Sequence, residues 1–321
     1  MRERAYGTRR PLNLALQGGG ALGAFSWGVL DRLSQERRMR IVAISGASAG
    51  ALNAAVFATG AARGGAREGR RALEALWRDV SNATAMANLF SQPLKLGGPS
   101  NIWGRAVESA SAIGARALKI NPLTDILKKH VDIDAIHSNA APRLYISATR
   151  VLTATPRIFT NHDLTIDALL ASACLPGIHP TVMIDGEPYW DGGFSSNPPL
   201  LPFLNAGADE TLLVQLTGAG AASTPTNPAD IDHYIKRLLF SQPLQAERTQ
   251  FLSRARGFKA LEEIHAEDWP LNADLMSKPT ARTVKSLFDF GTAAAESYIA
   301  GAPRNKSHPP IAVDRRDQSA A

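Results

Sequence analysis

Apolar positions along the chain fall into two patterns. Residues 12–16 (LNLAL), 40–45 (RIVAIS), 143–149 (RLYISAT) and 210–216 (ETLLVQL) are short, nearly continuous apolar runs. Runs of that length predict strands buried on both faces. Between them the spacing lengthens. Leu22, Phe25, Trp27, Val29, Leu30 and Leu33 recur every three or four positions and predict a helix over 21–35. Further helices are predicted over 48–59, 70–80, 123–130 after Asn121-Pro122, and 166–174, the last stopped by Pro176-Gly177. Residues 60–69 read as a Gly/Ala/Arg loop, and 83–101, with Gly97-Gly98-Pro99, as an irregular excursion or lid. Asp185-Gly186 marks a hairpin within 181–190. From residue 231 the pattern is helical, over 231–257 with an interruption at Pro243 and over 280–299. Strands alternating with helices up to 216 predict a mostly parallel α/β sheet.

Composition narrows the class. Of 321 residues, 45% are hydrophobic and 20% charged, which excludes a disordered or collagen-like chain. No apolar run approaches the ~20 residues of a membrane-spanning helix. The apolar run behind the basic residues 1–10 is too short for a signal-peptide core, so export is not expected. Cys174 is the one cysteine, so an internal disulfide or cysteine metal cluster is excluded and a cytoplasmic home is expected. The net charge of +6 is spread over Arg9-Arg10, Arg37-Arg38, Arg70-Arg71, Lys128-Lys129 and Arg315-Arg316, as on a solvated surface. No basic stripe interleaved with aromatics points to nucleic acid.

Three glycine-rich stretches carry candidate chemistry. Gly46-Ala47-Ser48-Ala49-Gly50 is a GxSxG between a predicted strand and a predicted helix. A sharp turn there lifts a serine hydroxyl clear of the sheet, with a helix N-terminus behind it for developing negative charge. The pattern alone is weak, and a structural turn serine is the competing reading. Gly18-Gly19-Gly20-Ala21-Leu22-Gly23 also follows a strand. It matches the dinucleotide fingerprint GxGxxG, but no acid ends the next strand to hold a ribose. It lacks the Gly-Lys-Ser/Thr close of a phosphate loop. Its consecutive amides equally suit an oxyanion hole for a nearby nucleophile. Asp191-Gly192-Gly193, followed by Asn197-Pro198-Pro199, is an ordinary turn in isolation, but its aspartate is a candidate base for Ser48.

Taken together, LALQGGGALGAFSWGVL (14–30), ISGASAGALNAAVFA (44–58) and ASACLPGIHPTVMIDGEPYWDGGFSSNPP (171–199) resemble the patatin-like phospholipase family over about residues 12–216. The resemblance implies a three-layer patatin-like fold, with a central mostly parallel sheet, helices on both faces and a helical C-terminal extension. It implies carboxylic-ester hydrolysis by a Ser–Asp dyad, with Ser48 as nucleophile and Asp191 as base. Gly19 and Gly20, with Gly18, would form the oxyanion hole, and Gly23, Gly46, Gly50, Gly192 and Gly193 would support the turns. That chemistry requires no metal or organic cofactor. The implied partner is a lipid or other acyl ester, with peripheral contact to the inner face of the membrane as a further expectation. The division expected is a flexible 1–11, a catalytic domain over 12–216, a helical extension over 217–302 packed on it, and a disordered tail over 303–321.

The chain departs from the family where Asp and Arg are frequent, carrying Gln17 and Leu22 instead. Losing that arginine removes a cation from near the acyl oxyanion. Two alternatives stay open. One is an α/β-hydrolase with a Ser-His-Asp triad, kept alive by His233 and His265 beyond Asp191; the other is a non-catalytic nucleotide-binding or regulatory module. A histidine base should give an acid limb near 6.5, whereas a carboxylate base should stay active lower. None of the seven histidines has metal-ligand spacing, and His179 reads as a packing residue. Cys174, Trp27, Trp77 and Trp103 read as core. The helix over 280–299, with Val284, Leu287, Phe288 and Tyr298 on one face, is expected to pack on the domain rather than lie on a membrane.

Overall fold

The computed structural model describes residues 9–82, 122–138, 140–218, 220, 224–255, 260–268 and 280–301. The expected lid at 83–101, Trp103 and the tail at 303–321 lie outside them. The chain opens with β1 (Arg10–Leu16), α1 (Gly23–Gln35), β2 (Met39–Gly46) and α2 (Ala49–Asn82). Next come α3 (Pro122–His130), α4 (Ile133–His137), β3 (Arg143–Arg150), β4 (Pro156–Thr160) and α5 (Ile166–Ser172). The hairpin β5 (Val182–Ile184) and β6 (Glu187–Asp191) leads to β7 (Glu210–Gln215). The chain continues through α6 (Pro228–Arg254), β8 (Ala260–His265) and α7 (Ala281–Ile299).

The strands form one eight-stranded sheet in the order β5-β6-β3-β2-β1-β7-β8, with β4 paired to β3. The pairs β3–β2, β2–β1, β1–β7 and β7–β8 are parallel, and those involving β4, β5 and β6 are antiparallel. The continuous apolar runs follow from burial on both faces. Successive side chains alternate across a strand. Leu14, Leu16, Ile44, Leu212 and Val214 join α1, α2, α5 and α7 in the main core. Ala15, Ala43 and Leu213 face the other way, into a smaller core with Phe203 and with Leu244 and Phe251 of α6. The molecule is thus a three-layer α/β fold with a mixed, mostly parallel sheet.

Several sequence expectations change. The loop at 60–69 shrinks to a break at Gly64 and Gly65 inside α2, because the Ala, Arg and Glu residues around it favour helix. A Cβ on Gly60 would lie 2.4 Å from the Glu68 carbonyl oxygen, so the two limbs of α2 fold back on each other. Pro243 does not interrupt α6, whose burial of Leu244 and Phe251 outweighs one missing hydrogen bond. The C-terminal region is not wholly helical either, since β8 joins the sheet beside β7.

The helix at 281–299 packs on α1, not outward. A Cβ on Gly28 would lie 2.1 Å from the Phe288 carbonyl oxygen, and one on Gly291 would lie 2.0 Å from that of Phe25. Only two glycines let these helix backbones cross so closely. Trp27 packs at 4.2 Å on Phe288 and stacks on Trp77 at 6.2 Å, so both tryptophans are core. Among the described residues, at least one member of each basic pair meets a carboxylate, with Arg10 on Glu210, Arg38 on Glu36, Arg70 on Asp31, Arg71 on Glu68 and Lys129 on Asp79. Among the described residues, no helix is long and apolar enough to cross a membrane.

Candidate functional site

The site arises from how β3 shares its edges. One edge carries β4, opposite residues 145–149. The other is divided, with β2 pairing to residues 143–146 and β6 to residues 148–150. β2 runs parallel and ends with Gly46 opposite Ile146, while β6 runs antiparallel and ends with Asp191 opposite Ala148. The two strands therefore meet head on, one residue apart, and both chains must turn out of the sheet at that point. Ser147 bridges the junction by donating from Oγ to the Ser196 carbonyl at 2.7 Å, with Gly46 O at 3.5 Å. This geometry brings Ser48 and Asp191 together from positions far apart in sequence.

Ser48 takes a left-handed backbone conformation, φ 51°, which costs a non-glycine residue roughly 1–3 kcal/mol. The surroundings enforce it. Gly50 lies so close to β1 that a Cβ would come within 2.1 Å of the Leu16 carbonyl oxygen. The Ser48 N–H donates to both the carbonyl oxygen (3.2 Å) and Oγ (3.1 Å) of Ser172 at the end of α5. Its own carbonyl accepts from Leu52 N–H at 3.1 Å, starting α2. Ser48 is partly exposed while Gly46, Ala47, Ala49 and Gly50 are buried, so the turn presents one hydroxyl over a helix N-terminus.

The glycine loop packs directly on this turn. A Cβ on Gly18 would lie 2.9 Å from Ser48 Cβ. The Gly18 N–H is already used, however, donating to Asn197 Oδ1 at 2.8 Å. That differs from the expectation that Gly18 shares in an oxyanion hole. Gly19 and Gly20 are partly exposed, and their N–H groups donate to nothing among the described residues. Gly20 has φ 58°, and Gly23 opens α1, its carbonyl accepting from Asn53 Nδ2 at 2.8 Å. The Gln17 side chain faces away, its Oε1 accepting from Leu216 and Thr217 N–H at 2.6 and 3.0 Å. Leu22 is buried in the main core, so its position does not present a side chain to the oxyanion.

Asp191 is fully buried. Its Oδ1 accepts from Gly193 N–H at 2.7 Å, and its backbone N–H donates to Cys174 O at 2.8 Å. Burial pushes its carboxyl up to about 7, against the opposing pull of the Gly193 N–H and the Ser48 hydroxyl. Oδ2 has no hydrogen-bond partner among the described residues and so is an open acceptor, on a carboxyl close enough to the Ser48 hydroxyl for that hydroxyl to pull its pKa down. Gly192 and Gly193 form the turn out of β6; Gly192 is pressed on the Ser147 carbonyl, where a Cβ would stand at 2.2 Å.

The described histidines lie elsewhere or are otherwise engaged. His179 is buried, its Nδ1 accepts from Leu175 N–H at 3.1 Å, and burial pulls its pKa down to about 4. It is therefore neutral, with its basic nitrogen already occupied. His265 Nε2 faces Glu263 at 3.1 Å, and the His233 side chain lies outside the described residues. Cys174 is buried, its Sγ directed at Pro180 O at 3.1 Å. A cavity of about 1100 Å³ opens beside Arg37, Arg40 and Arg143 at the amino ends of β1, β2 and β3, the opposite ends from Ser48. No acid follows β2 where a dinucleotide fold would hold a ribose.

Sequence reasoning missed Ser172 and Glu247. Glu247 accepts from Ser196 Oγ (2.8 Å) and from the Leu200 and Leu201 N–H groups (3.1 and 3.2 Å), tying the loop after Asp191 to α6. In the sequence it is one more charge on a helix and carries no signal. Asn197 stood out only as a neighbour of the DGG turn.

A sequence model described as patatin-like phospholipase matches residues 14–204. No curated protein matches significantly. Among solved structures, VipD from Legionella pneumophila aligns at 15% identity and TM-score 0.44, covering 89% of this chain and 66% of its own. The type III effector ExoU aligns at 18% identity and TM-score 0.38, covering 91% of this chain and 53% of its own. The chain thus spans under two thirds of VipD and about half of ExoU. With the family match covering more than half of its length and all three glycine-rich stretches, the chain belongs to the patatin-like phospholipase family.

Proposed function

We propose that this protein is a serine lipid acyl hydrolase that cleaves carboxylic esters through a Ser48–Asp191 dyad. The observation that carries this reading is the open Oδ2 of a fully buried Asp191 beside a partly exposed, backbone-strained Ser48. As Ser48 Oγ attacks the ester carbonyl carbon, Asp191 Oδ2 takes the hydroxyl proton. The carbonyl oxygen becomes an alkoxide, stabilised by the Gly19 and Gly20 amides and the N-terminus of α2. Collapse breaks the ester C–O bond, and Asp191 returns the proton to the departing alcohol. Water then loses a proton to Asp191, attacks the acyl-serine and releases the fatty acid, and the proton returns to Ser48. A low-dielectric base with its pKa raised to about 7 suits proton transfer near neutral pH. The dyad is favoured over a triad because His179, the described histidine nearest in sequence to this turn, already uses Nδ1 as an acceptor.

The test is covalent labelling with a fluorophosphonate together with Ser48→Ala. The wild type should label at Ser48. The alanine variant should lose the label and at least ~10³-fold in p-nitrophenyl ester turnover while keeping its circular dichroism spectrum. A variant that retains a tenth of wild-type turnover would sink the assignment.

A further inference from the structure

Asn197 is an amide side chain with no exposure, and both of its ends are used. Oδ1 accepts from Gly18 N–H at 2.8 Å, and Nδ2 donates to the Phe240 carbonyl of α6 at 2.9 Å. One side chain therefore joins the glycine loop, the loop after Asp191 and a helix beyond the family-matched residues. Phe240 also packs its ring on Phe194 at 4.7 Å, next to the Asp191 turn. Seven positions on, two turns along the same helix face, Glu247 holds the same loop through Ser196, Leu200 and Leu201. A buried amide satisfied at both ends fixes orientation as well as position.

Gly18 is the peptide against which Ser48 packs, and peptide units are planar. Tying its N–H to Asn197 fixes the 17–18 peptide plane from which the next two amides extend. We propose that Asn197, anchored by α6, is a positioning residue that aims the Gly19 and Gly20 amides at the substrate carbonyl, so that the C-terminal region forms part of the acyl-transfer apparatus. The proposal rests on the Ser48 reading above.

The experiment compares Asn197→Ala, Glu247→Ala and Glu247→Gln with the wild type, using p-nitrophenyl butyrate and a fluorophosphonate. Asn197→Ala should lower kcat by about 10- to 100-fold with KM within about twofold, and slow fluorophosphonate labelling of Ser48 in step. Glu247→Ala should show the same split to a smaller degree. Glu247→Gln, which keeps a carbonyl oxygen for the two amides and an NH2 for Ser196, should recover most of the loss. Rates are expressed per labelled active site, so loss of folded protein does not count. An Asn197→Ala kcat equal to wild type per site overturns the proposal. A higher one does so too, because it would mean that the released Gly18 amide joins the oxyanion hole. If Asn197→Ala does not fold, the Glu247 pair decides, and equal kcat for Ala and Gln overturns it. Failure of the wild type to label at Ser48 would instead overturn the dyad itself.

Discussion

At Asp191, burial raises the carboxyl to about 7 while the Gly193 N–H and the Ser48 hydroxyl hold it back. If this group is the base, activity should fall as pH drops through about 7. That limb coincides with a histidine's, so the pH profile cannot separate dyad from triad as the sequence suggested; substitution can. Asp191→Asn should abolish turnover, and His179→Gln should keep most of it, measured per folded protein. Stability carries a second signature. An unfolded aspartate titrates near ~3.9, so between that value and about 7 the native state holds a proton the unfolded state has lost. Native stability therefore decreases as pH rises through that window. Asp191→Asn removes the dependence, and thermal melts should show its advantage growing from about pH 4 to about pH 7 and levelling off above that. Ser48 and Asp191 were legible because each turn needs small neighbours at fixed offsets. Asn197 and Glu247 were not, because the partners that define them sit 179 and 51 positions away.

At the scale of elements, the crossing of α1 and α7 depends on Gly28 and Gly291. Gly28→Val would drive side-chain atoms into the Phe288 carbonyl. It should cost about 1–3 kcal/mol or more and lower the melting temperature by several degrees. Leu152→Ser, at an 81% exposed loop position, should leave it unchanged and serves as the control. The strands β1, β2, β3 and β7 could be read directly because burial on both faces leaves a continuous apolar run. β8 could not, since ALEEIH reads as much like helix as strand, and its identity comes from pairing with β7. Pro243 misled for a related reason. Local propensity predicts a break, but the packing of Leu244 and Phe251 overrides it.

At the scale of the whole molecule, the family-matched residues 14–204 are not a complete sheet. β1 sits between β2 and β7, and β7, β8, α6 and α7 all follow residue 204. A fragment ending there would bare one edge of β1 and the glycine face of α1. Exposed, flat apolar edges pair with other chains. Expressed alone, residues 14–204 should aggregate, and size-exclusion chromatography with circular dichroism would detect it; a soluble monomer with native helicity would contradict this. In the sequence, the strand–helix alternation stops at 216. The structural unit runs on, because pairing across the sheet does not follow chain order. The head-on meeting of β2 and β6 along β3 has a consequence for how such a chain tolerates changes in length. The Asp185-Gly186 turn lies beyond the paired segment and could accept extra residues, since neither strand end would move. A single residue inserted between 187 and 191 would shift the end of β6 by about 3.3 Å and turn the aspartate to the opposite face of the sheet. Insertions and deletions in this chain should therefore sort sharply, neutral at the hairpin tip and silencing one strand-length away.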